Sequence, residues 1–170
     1  MNTSRLGLAL MHLLAKLPLP VLRGIGWGVG RLLFILAAPR RKIALRNLEL
    51  CFPEVPAAQR RAWAKETFVV FCQTFIDRSW LWFGSEALVR SRVQLTGALH
   101  ELEGDTATIV FAPHFYSMDA GGLALPLNTA REFTSIFATN PDPVLDAWFM
   151  AGRQRFGKVR MLNRADGVKP

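Results

Sequence analysis

The sequence is poor in cysteine, histidine, tyrosine and acidic residues. Its 170 residues include 2 cysteines, 3 histidines, 1 tyrosine and 13 Asp or Glu against 21 Lys or Arg. Cys51 and Cys72 have neither CxxC nor metal-type spacing, so nothing indicates a disulfide framework, a metal site or an organic cofactor. We expect both thiols to be buried in a reducing compartment.

Several other signatures are missing. The sequence has no internal repeat, no low-complexity tract and no glycine-rich phosphate loop. The glycines between Gly24 and Gly30 are not a dinucleotide fingerprint, because no strand pattern precedes them. The length suits one ordinary domain with a sizeable core.

The excess of positive charge is confined to one end of the chain. Residues 1–61 carry ten Lys or Arg against Glu49 and Glu54, which accounts for the whole formal net charge of +8. The remaining residues carry eleven charges of each sign. A basic terminal segment on a balanced remainder favours a membrane surface as partner over nucleic acid, so we predict no nucleic-acid partner.

No uninterrupted apolar run is long enough to span a bilayer. Leu6–Leu14 is too short, and Val21–Ala38 contains Arg23 and Arg31. A single span from about Leu17 to Ala38 and an interfacial amphipathic helix or re-entrant pair therefore remain alternatives. Basic residues crowd directly after this run, and the positive-inside bias places the rest of the chain in the cytoplasm: Arg40, Arg41, Lys42 and Arg46.

The remaining pattern alternates helices and strands. Helical periodicity is predicted at Ala57–Phe83, where it carries an aromatic stripe, and later at 120–127 and 143–156. Short strands are predicted at 92–96, 108–112 and 133–138. Such alternation predicts an α/β fold with a mainly parallel sheet and flanking helices. We divide the chain into a membrane anchor (1–39), basic and aromatic helices (40–91) and part of an α/β domain (92–170).

His114 and Asp119 follow the predicted strand at 108–112, which ends at Pro113. On one helix this separation would place the two side chains about 140° apart. They can meet only if His114 lies in the loop and Asp119 in the first turn of the next helix, with Ser117 as its N-cap. That corner is the carboxyl end of a strand, where open α/β sheets bind ligands.

A carboxylate that accepts one imidazole N–H leaves the other ring nitrogen free to act as a base. It also stabilises the imidazolium that forms when a proton is taken. The alternative is that His114 packs at a strand end and Asp119 is an ordinary N-terminal helix residue. The spacing alone does not decide between these interpretations.

Four motifs occur in one order: Asn47-Leu-Glu-Leu-Cys-Phe-Pro-Glu54, His114 to Asp119, Asn140 to Trp148, and Gly152-Arg153. From about residue 20 onward the chain resembles the late acyltransferases of lipid A biosynthesis, the lauroyl and myristoyl transferases of Gram-negative inner membranes. The resemblance implies a glycerolipid-acyltransferase-like sheet behind a hydrophobic N-terminal anchor helix. It also implies catalytic roles for His114 and Asp119 and a substrate contact for Arg153.

The same resemblance implies a reaction and a location. A fatty acyl chain would pass from acyl carrier protein to a hydroxyl of a lipid A precursor, at the cytoplasmic face of the inner membrane. The sequence differs from the family pattern at one residue and in one short segment. Asp119 stands where the family usually has Glu, and the segment Phe137-Ala138-Thr139 replaces Tyr-Arg-Pro.

Family members are longer, so we expect this chain to correspond to their first half. The alternative function is therefore a non-catalytic, membrane-bound remnant or interaction module that keeps the anchor and part of the sheet.

Overall fold

A computed structural model describes residues 3–167. The described chain is mostly helical, with one small parallel sheet. The elements in chain order are α1 (Thr3–Leu14), α2 (Leu19–Leu36), α3 (Ala38–Cys51), α4 (Ala57–Phe83), α5 (Glu86–Arg92), α6 (Met118–Leu127), β1 (Glu132–Phe137), α7 (Pro143–Arg153) and β2 (Lys158–Asn163). Short 3-10 turns occupy Leu99–Leu102 and Arg164–Asp166.

The chain forms two compact units. One comprises residues 3–16 and 78–167, and the other is Leu17–Asp77. The helix α4 contributes residues to both. The three-part division at residues 39 and 91 stays a prediction.

In the unit Leu17–Asp77, α2 packs one face against α4 through glycine. A methyl group on Gly30 would lie 2.5 Å from the Cα of Val69, and one on Gly26 would lie 2.6 Å from Cγ of Gln73. Small residues four apart let two helix backbones approach closely. Next to them, Phe34 meets Phe68 edge to face at 5.5 Å between ring centroids.

The opposite face of α2 is exposed and apolar. Within residues 3–167, α2 is the one helix long and apolar enough to cross a membrane, a property that core helices and signal sequences share. The exposed apolar side chains of α2 are Val21, Trp27, Val29, Leu32, Ile35 and Leu36. The predicted helix in this region is confirmed.

The unit of residues 3–16 and 78–167 contains a strand–helix–strand unit. The strands β1 and β2 are parallel, with Glu132 opposite Lys158 and Phe137 opposite Asn163, and α7 connects them. Two parallel strands need such a crossover, since the chain leaves β1 at one end of the sheet and must enter β2 at the other end. The predicted strand at 133–138 is confirmed to within one residue, and the helix predicted at 143–156 begins as expected but ends at Arg153.

Tryptophan dominates the core of this unit. Trp82 packs edge to face on Trp148, with 4.4 Å between ring centroids, and on Phe149 at 5.3 Å. Gly152 lies directly against the Trp82 indole, where any Cβ would overlap the ring. The end of α4 and the end of α7 are therefore held together by close aromatic contact.

Three predictions about strands and side-chain burial are wrong. Residues 108–112 have no regular secondary structure, and the side chains of Ile109 and Phe111 are 97% and 89% exposed. Residues 93–96 have no regular structure after α5 ends at Arg92. Strand propensity is expressed only where a neighbouring strand completes the hydrogen-bond ladder. Among the described residues, this happens only between β1 and β2.

The third error concerns the cysteines. Cys72 is buried, as expected, and burial raises the pKa of its thiol. Cys51 is exposed, because it ends α3, a helix with no buried residue.

The glycine contacts predict a sharp difference between two substitutions in α2. Gly30→Ala should destabilise the protein by about 1–3 kcal/mol, because the new methyl group meets the α4 backbone. Gly28→Ala is the matched control, since nothing lies within 4 Å of a Cβ there. We expect it to be neutral or stabilising by about 0.5–1 kcal/mol. Chemical denaturation of both variants is the measurement, and equal stability would contradict the close packing.

Candidate active site

Asp119 lies in the first turn of α6, as the sequence predicted. Ser117 occupies the N-cap position, but its side chain makes no capping hydrogen bond there. Its backbone is left-handed, with φ of 66°, an uncommon and mildly strained conformation for a residue other than glycine. The residue is therefore at the predicted place but does not cap the helix as predicted.

Two arginines surround the carboxylate of Asp119. Nε and Nη2 of Arg78, from the end of α4, each lie 2.7 Å from Oδ2. Nε of Arg153, from the end of α7, lies 3.6 Å from Oδ1. The Asp119 side chain is 15% exposed and that of Arg78 is 23% exposed, so solvent screens this ion pair less than it screens a surface pair.

Aromatic rings support both guanidinium groups. Arg78 lies 5.6 Å from the ring centroid of Trp82 and 5.8 Å from that of Phe149. Arg153 lies 5.4 Å from the ring of Phe149. Cation–π contact at these distances favours arginine, whose planar group stacks on aromatic faces.

His114 lies in the irregular segment before α6, in a tight turn closed by the Phe115 N–H to Pro113 carbonyl hydrogen bond of 2.8 Å, and is exposed. Within residues 3–167, the hydrogen bonds and ion pairs of Asp119 go to Arg78 and Arg153, and none goes to His114. Two of the three predicted site residues, Asp119 and Arg153, are thus brought together. The pairing of His114 with Asp119 stays a prediction.

A cleft of about 250 Å³ opens at the carboxyl end of β1. Its lining includes Asn140, Asp146, Phe149 and Arg153. The Asn140 backbone N–H donates to Oδ1 of Asp146 at 2.7 Å, which holds the loop after β1 against α7. Asp146 and Arg153 share one helix face, as their spacing predicted. The cleft therefore lies where open α/β sheets bind ligands.

Asp142 positions α7 and hence Arg153. Its Oδ1 accepts hydrogen bonds from the backbone N–H groups of Val144 and Leu145, and Oδ2 accepts one from the Ser4 hydroxyl. The bond from Ser4, followed by these two backbone bonds, lowers the pKa of Asp142 although partial desolvation opposes them. Pro143 follows at the first helical position, where its missing N–H costs nothing.

Arg78 is a candidate site residue that the sequence analysis missed. It lies in the aromatic helix α4, which we interpreted as core. The available signal was the polar run Asp77-Arg78-Ser79 between Ile76 and Trp80, since charged residues in an apolar helix need partners. Among residues 3–167, no three His, Cys, Asp or Glu side chains come together as metal ligands would.

The lowered pKa of Asp142 predicts a pH-dependent contribution to stability. A carboxyl group with a depressed folded-state pKa stabilises the fold above its unfolded pKa of about 3.9, and this contribution is lost as pH falls through the folded value. Asp142→Ala should therefore lower the melting temperature more at pH 7 than at pH 3. Asp105→Ala, at an exposed aspartate, is the control. An equal loss for Asp142→Ala at both pH values would contradict the role of its charge.

Comparison with known proteins shows which family the chain resembles in sequence. Residues 2–170 match the family model described as bacterial lipid A biosynthesis acyltransferase. A lipid A biosynthesis acyltransferase of Haemophilus influenzae is 33% identical over 165 residues, covering 95% of this chain and 52% of that protein. No solved structure matches the chain.

Two Escherichia coli relatives are similar to the same extent. The lipid A biosynthesis lauroyltransferase is 28% identical, covering 95% of this chain and 53% of that protein. The myristoyltransferase is 30% identical, covering 89% of this chain and 46% of that protein. The chain thus spans about half the length of the curated relatives it matches.

Proposed function

Because the chain belongs to the bacterial lipid A biosynthesis acyltransferase family, we propose that it transfers a fatty acyl chain to a hydroxyl of a lipid A precursor in lipopolysaccharide biosynthesis. The donor is an acyl thioester on acyl carrier protein, and the α/β part belongs to a glycerolipid-acyltransferase-like domain. The observation that carries the proposal is the contact between Asp119 and Arg153. Both were predicted as site residues from motifs far apart in the sequence, and Arg153 also lines the cleft.

The reaction needs a base but no covalent enzyme intermediate. His114 takes the proton of the acceptor hydroxyl while the oxygen attacks the thioester carbonyl carbon. The tetrahedral intermediate collapses, the C–S bond breaks, and the thiolate leaves as a thiol with the proton from the imidazolium. The products are an ester and free carrier thiol, and His114 returns neutral. Such a positioned base typically contributes about 10²–10⁴-fold to the rate.

Asp119 acts on His114 through the carboxylate oxygen that Arg78 does not use. Oδ2 accepts both contacts from Arg78, whereas Oδ1 lies 3.6 Å from Nε of Arg153, beyond hydrogen-bond distance. Oδ1 can therefore accept an imidazole N–H when substrate binding brings the exposed segment around His114 against α6. A carboxylate in that position selects one imidazole tautomer and stabilises the imidazolium.

Arg153 contacts the substrate. Its guanidinium lies at the wall of the cleft and is 38% exposed, so its outer N–H groups are accessible. A guanidinium there binds a phosphate of the acceptor or the carbonyl oxygen that becomes negative during attack. The loss of the family cation at Ala138, in the same cleft, leaves Arg153 as the basic residue of its lining within the described residues.

Replacing the base tests the reaction directly. His114→Ala should lower acyl transfer by about 10²–10⁴-fold, because the hydroxyl then keeps its proton during attack. His100→Ala is the matched control, since the His100 side chain is 72% exposed in a 3-10 turn and plays no part in the reaction. The assay follows transfer from acyl carrier protein to a lipid A precursor by mass spectrometry. Retained activity in His114→Ala would remove His114 from this role.

The exposed apolar segment before α6 supports a second candidate function, a non-catalytic membrane-bound module. Ile109, Phe111 and Phe115 are each at least 76% exposed, as expected for a surface that another polypeptide covers. Mass spectrometry of lipid A from cells lacking or carrying the gene separates the two. An unchanged lipid A profile beside normal membrane binding would favour the module.

We also propose that the unit Leu17–Asp77 holds the protein at the cytoplasmic face of the inner membrane. One face of α2 packs on α4, and the ion pair from Arg23 to the buried Asp77, at 2.9 Å, lies on that packed side. The opposite face is exposed and mostly apolar, with Arg31 lying over the ring of Trp27. One packed and one apolar face favour a helix that lies in the membrane interface over a helix surrounded by lipid.

The following helix, α3, adds positive charge to this surface. It has no buried residue and carries Ile43 and Leu50 exposed among basic side chains. Part of the Arg41 guanidinium is used in hydrogen bonds within the protein, because its Nη1 donates to the carbonyls of Phe34 and Ile35 at the end of α2. The more exposed Arg40 and Lys42 are available for anionic headgroups.

Removing two of these charges should weaken membrane binding. Each basic residue near an anionic surface contributes about 1 kcal/mol, so Arg40→Gln with Lys42→Gln should reduce the affinity by about tenfold or more. Sedimentation with phosphatidylglycerol-containing vesicles measures this, and vesicles of phosphatidylcholine alone should show little difference between the proteins. The double variant Lys158→Gln with Arg160→Gln, on exposed positions of β2, is the charge-matched control. Equal losses in both double variants would contradict a specific role for α3.

A further inference from the structure

Arg78 makes the shortest contacts to the Asp119 carboxylate. Two of its nitrogens, Nε and Nη2, approach the same oxygen, Oδ2, at 2.7 Å. Two N–H groups on one oxygen restrict rotation of the carboxylate about the Cβ–Cγ bond. A lysine ammonium, as a point charge on a flexible stem, imposes no such restriction.

The guanidinium of Arg78 is itself held in place. It lies over the rings of Trp82 and Phe149, and Trp82 is buried against Gly152. Since Gly152 directly precedes Arg153 on α7, the same packing locates both arginines relative to Asp119. Arg78 therefore reaches Asp119 from a rigid aromatic base and not from a mobile surface.

We propose that Arg78 is a positioning residue for the acyl-transfer reaction: it clamps Oδ2 of Asp119 so that Oδ1 is presented to His114. This inference rests on the proposed function. Arg78 acts through Asp119 and contacts neither the acceptor nor the donor. Its positive charge also pairs with the carboxylate of Asp119 in the partly buried site.

If Arg78 only positions Asp119, its replacement should lower kcat and leave KM nearly unchanged. Arg78→Gln should lower kcat by about 10- to 100-fold, the usual effect of removing a group that orients a catalytic residue. KM for both substrates should change by less than about twofold, because no substrate contact is lost. Arg153→Gln, by contrast, removes a substrate contact and should raise KM.

The double variant tests whether Arg78 acts through Asp119. Asp119→Asn alone removes the group that Arg78 positions, so adding Arg78→Gln to it should cost no further activity. Arg78→Lys keeps the charge but loses the two-point contact and the stacking, and should recover part of the lost kcat. Arg78→Lys also answers the question if Arg78→Gln does not fold, which thermal unfolding of each variant shows.

Arg90→Gln is the matched control. Arg90 makes an ion pair of the same 2.7 Å length, from Nε to Oε1 of Glu86, and both side chains are about half exposed. Its Nη2 donates to the Leu127 carbonyl at the far end of α6 from Asp119, so Arg90→Gln should leave kcat unchanged. Inactivity of the wild-type chain would refute the proposed function and this inference with it. An active wild type with unchanged kcat in Arg78→Gln, or additive losses in the double variant, would overturn only the role of Arg78.

Discussion

The carboxylate of Asp119 joins three helices of one compact unit. Arg78 reaches it from the end of α4 and Arg153 from the end of α7, while Asp119 itself begins α6. The ion pairs offset the cost of partly burying this carboxylate, and aromatic rings lie over both guanidinium groups. This cluster brings α6 and α7 to the carboxyl end of β1, where the cleft lies.

The members of this cluster have different roles in the proposed reaction. The two oxygens of Asp119 differ in their surroundings, since Oδ2 takes both contacts from Arg78 and Oδ1 has only a longer ion pair. Arg153 belongs to both the cluster and the cleft wall. In the proposed reaction, Arg153 therefore connects Asp119, which would orient the base, to the cleft, which would receive the substrate. The left-handed backbone at Ser117 lies between this fixed cluster and the exposed His114.

The unit Leu17–Asp77 is held together in a different way, by close contact between two helix backbones. Its α2 does not have one apolar and one polar face, as an amphipathic helix does. Gly26 and Gly30 lie on the side towards α4, where the backbones come into contact, and most exposed side chains on the other side are apolar. Glycine costs helix propensity, but at Gly26 and Gly30 it permits close backbone approach. Most of the basic residues follow in α3, and the one exposed arginine on the apolar side of α2, Arg31, lies 4.9 Å from the ring centroid of Trp27. Both features suit an anionic membrane surface, with the apolar face entering the acyl boundary and the basic helix on the headgroups.

Periodicity and end signals are local, so the longest helices could be predicted from the sequence: the bounds of α4 agree to the residue and those of α2 to within two residues, whereas the short α5 was not predicted. The sequence also identified Asp119 and Arg153, through motif resemblance. Tertiary structure alone decided that Arg78 pairs with Asp119, since no local pattern specifies which distant carboxylate an arginine in an apolar helix meets. It likewise decided which strands form: β1 and β2 find each other, whereas 108–112 has the composition of a strand but no neighbour among the described residues. Hydrogen-bond ladders and ion pairs need a partner in space, and a propensity within one segment cannot supply it.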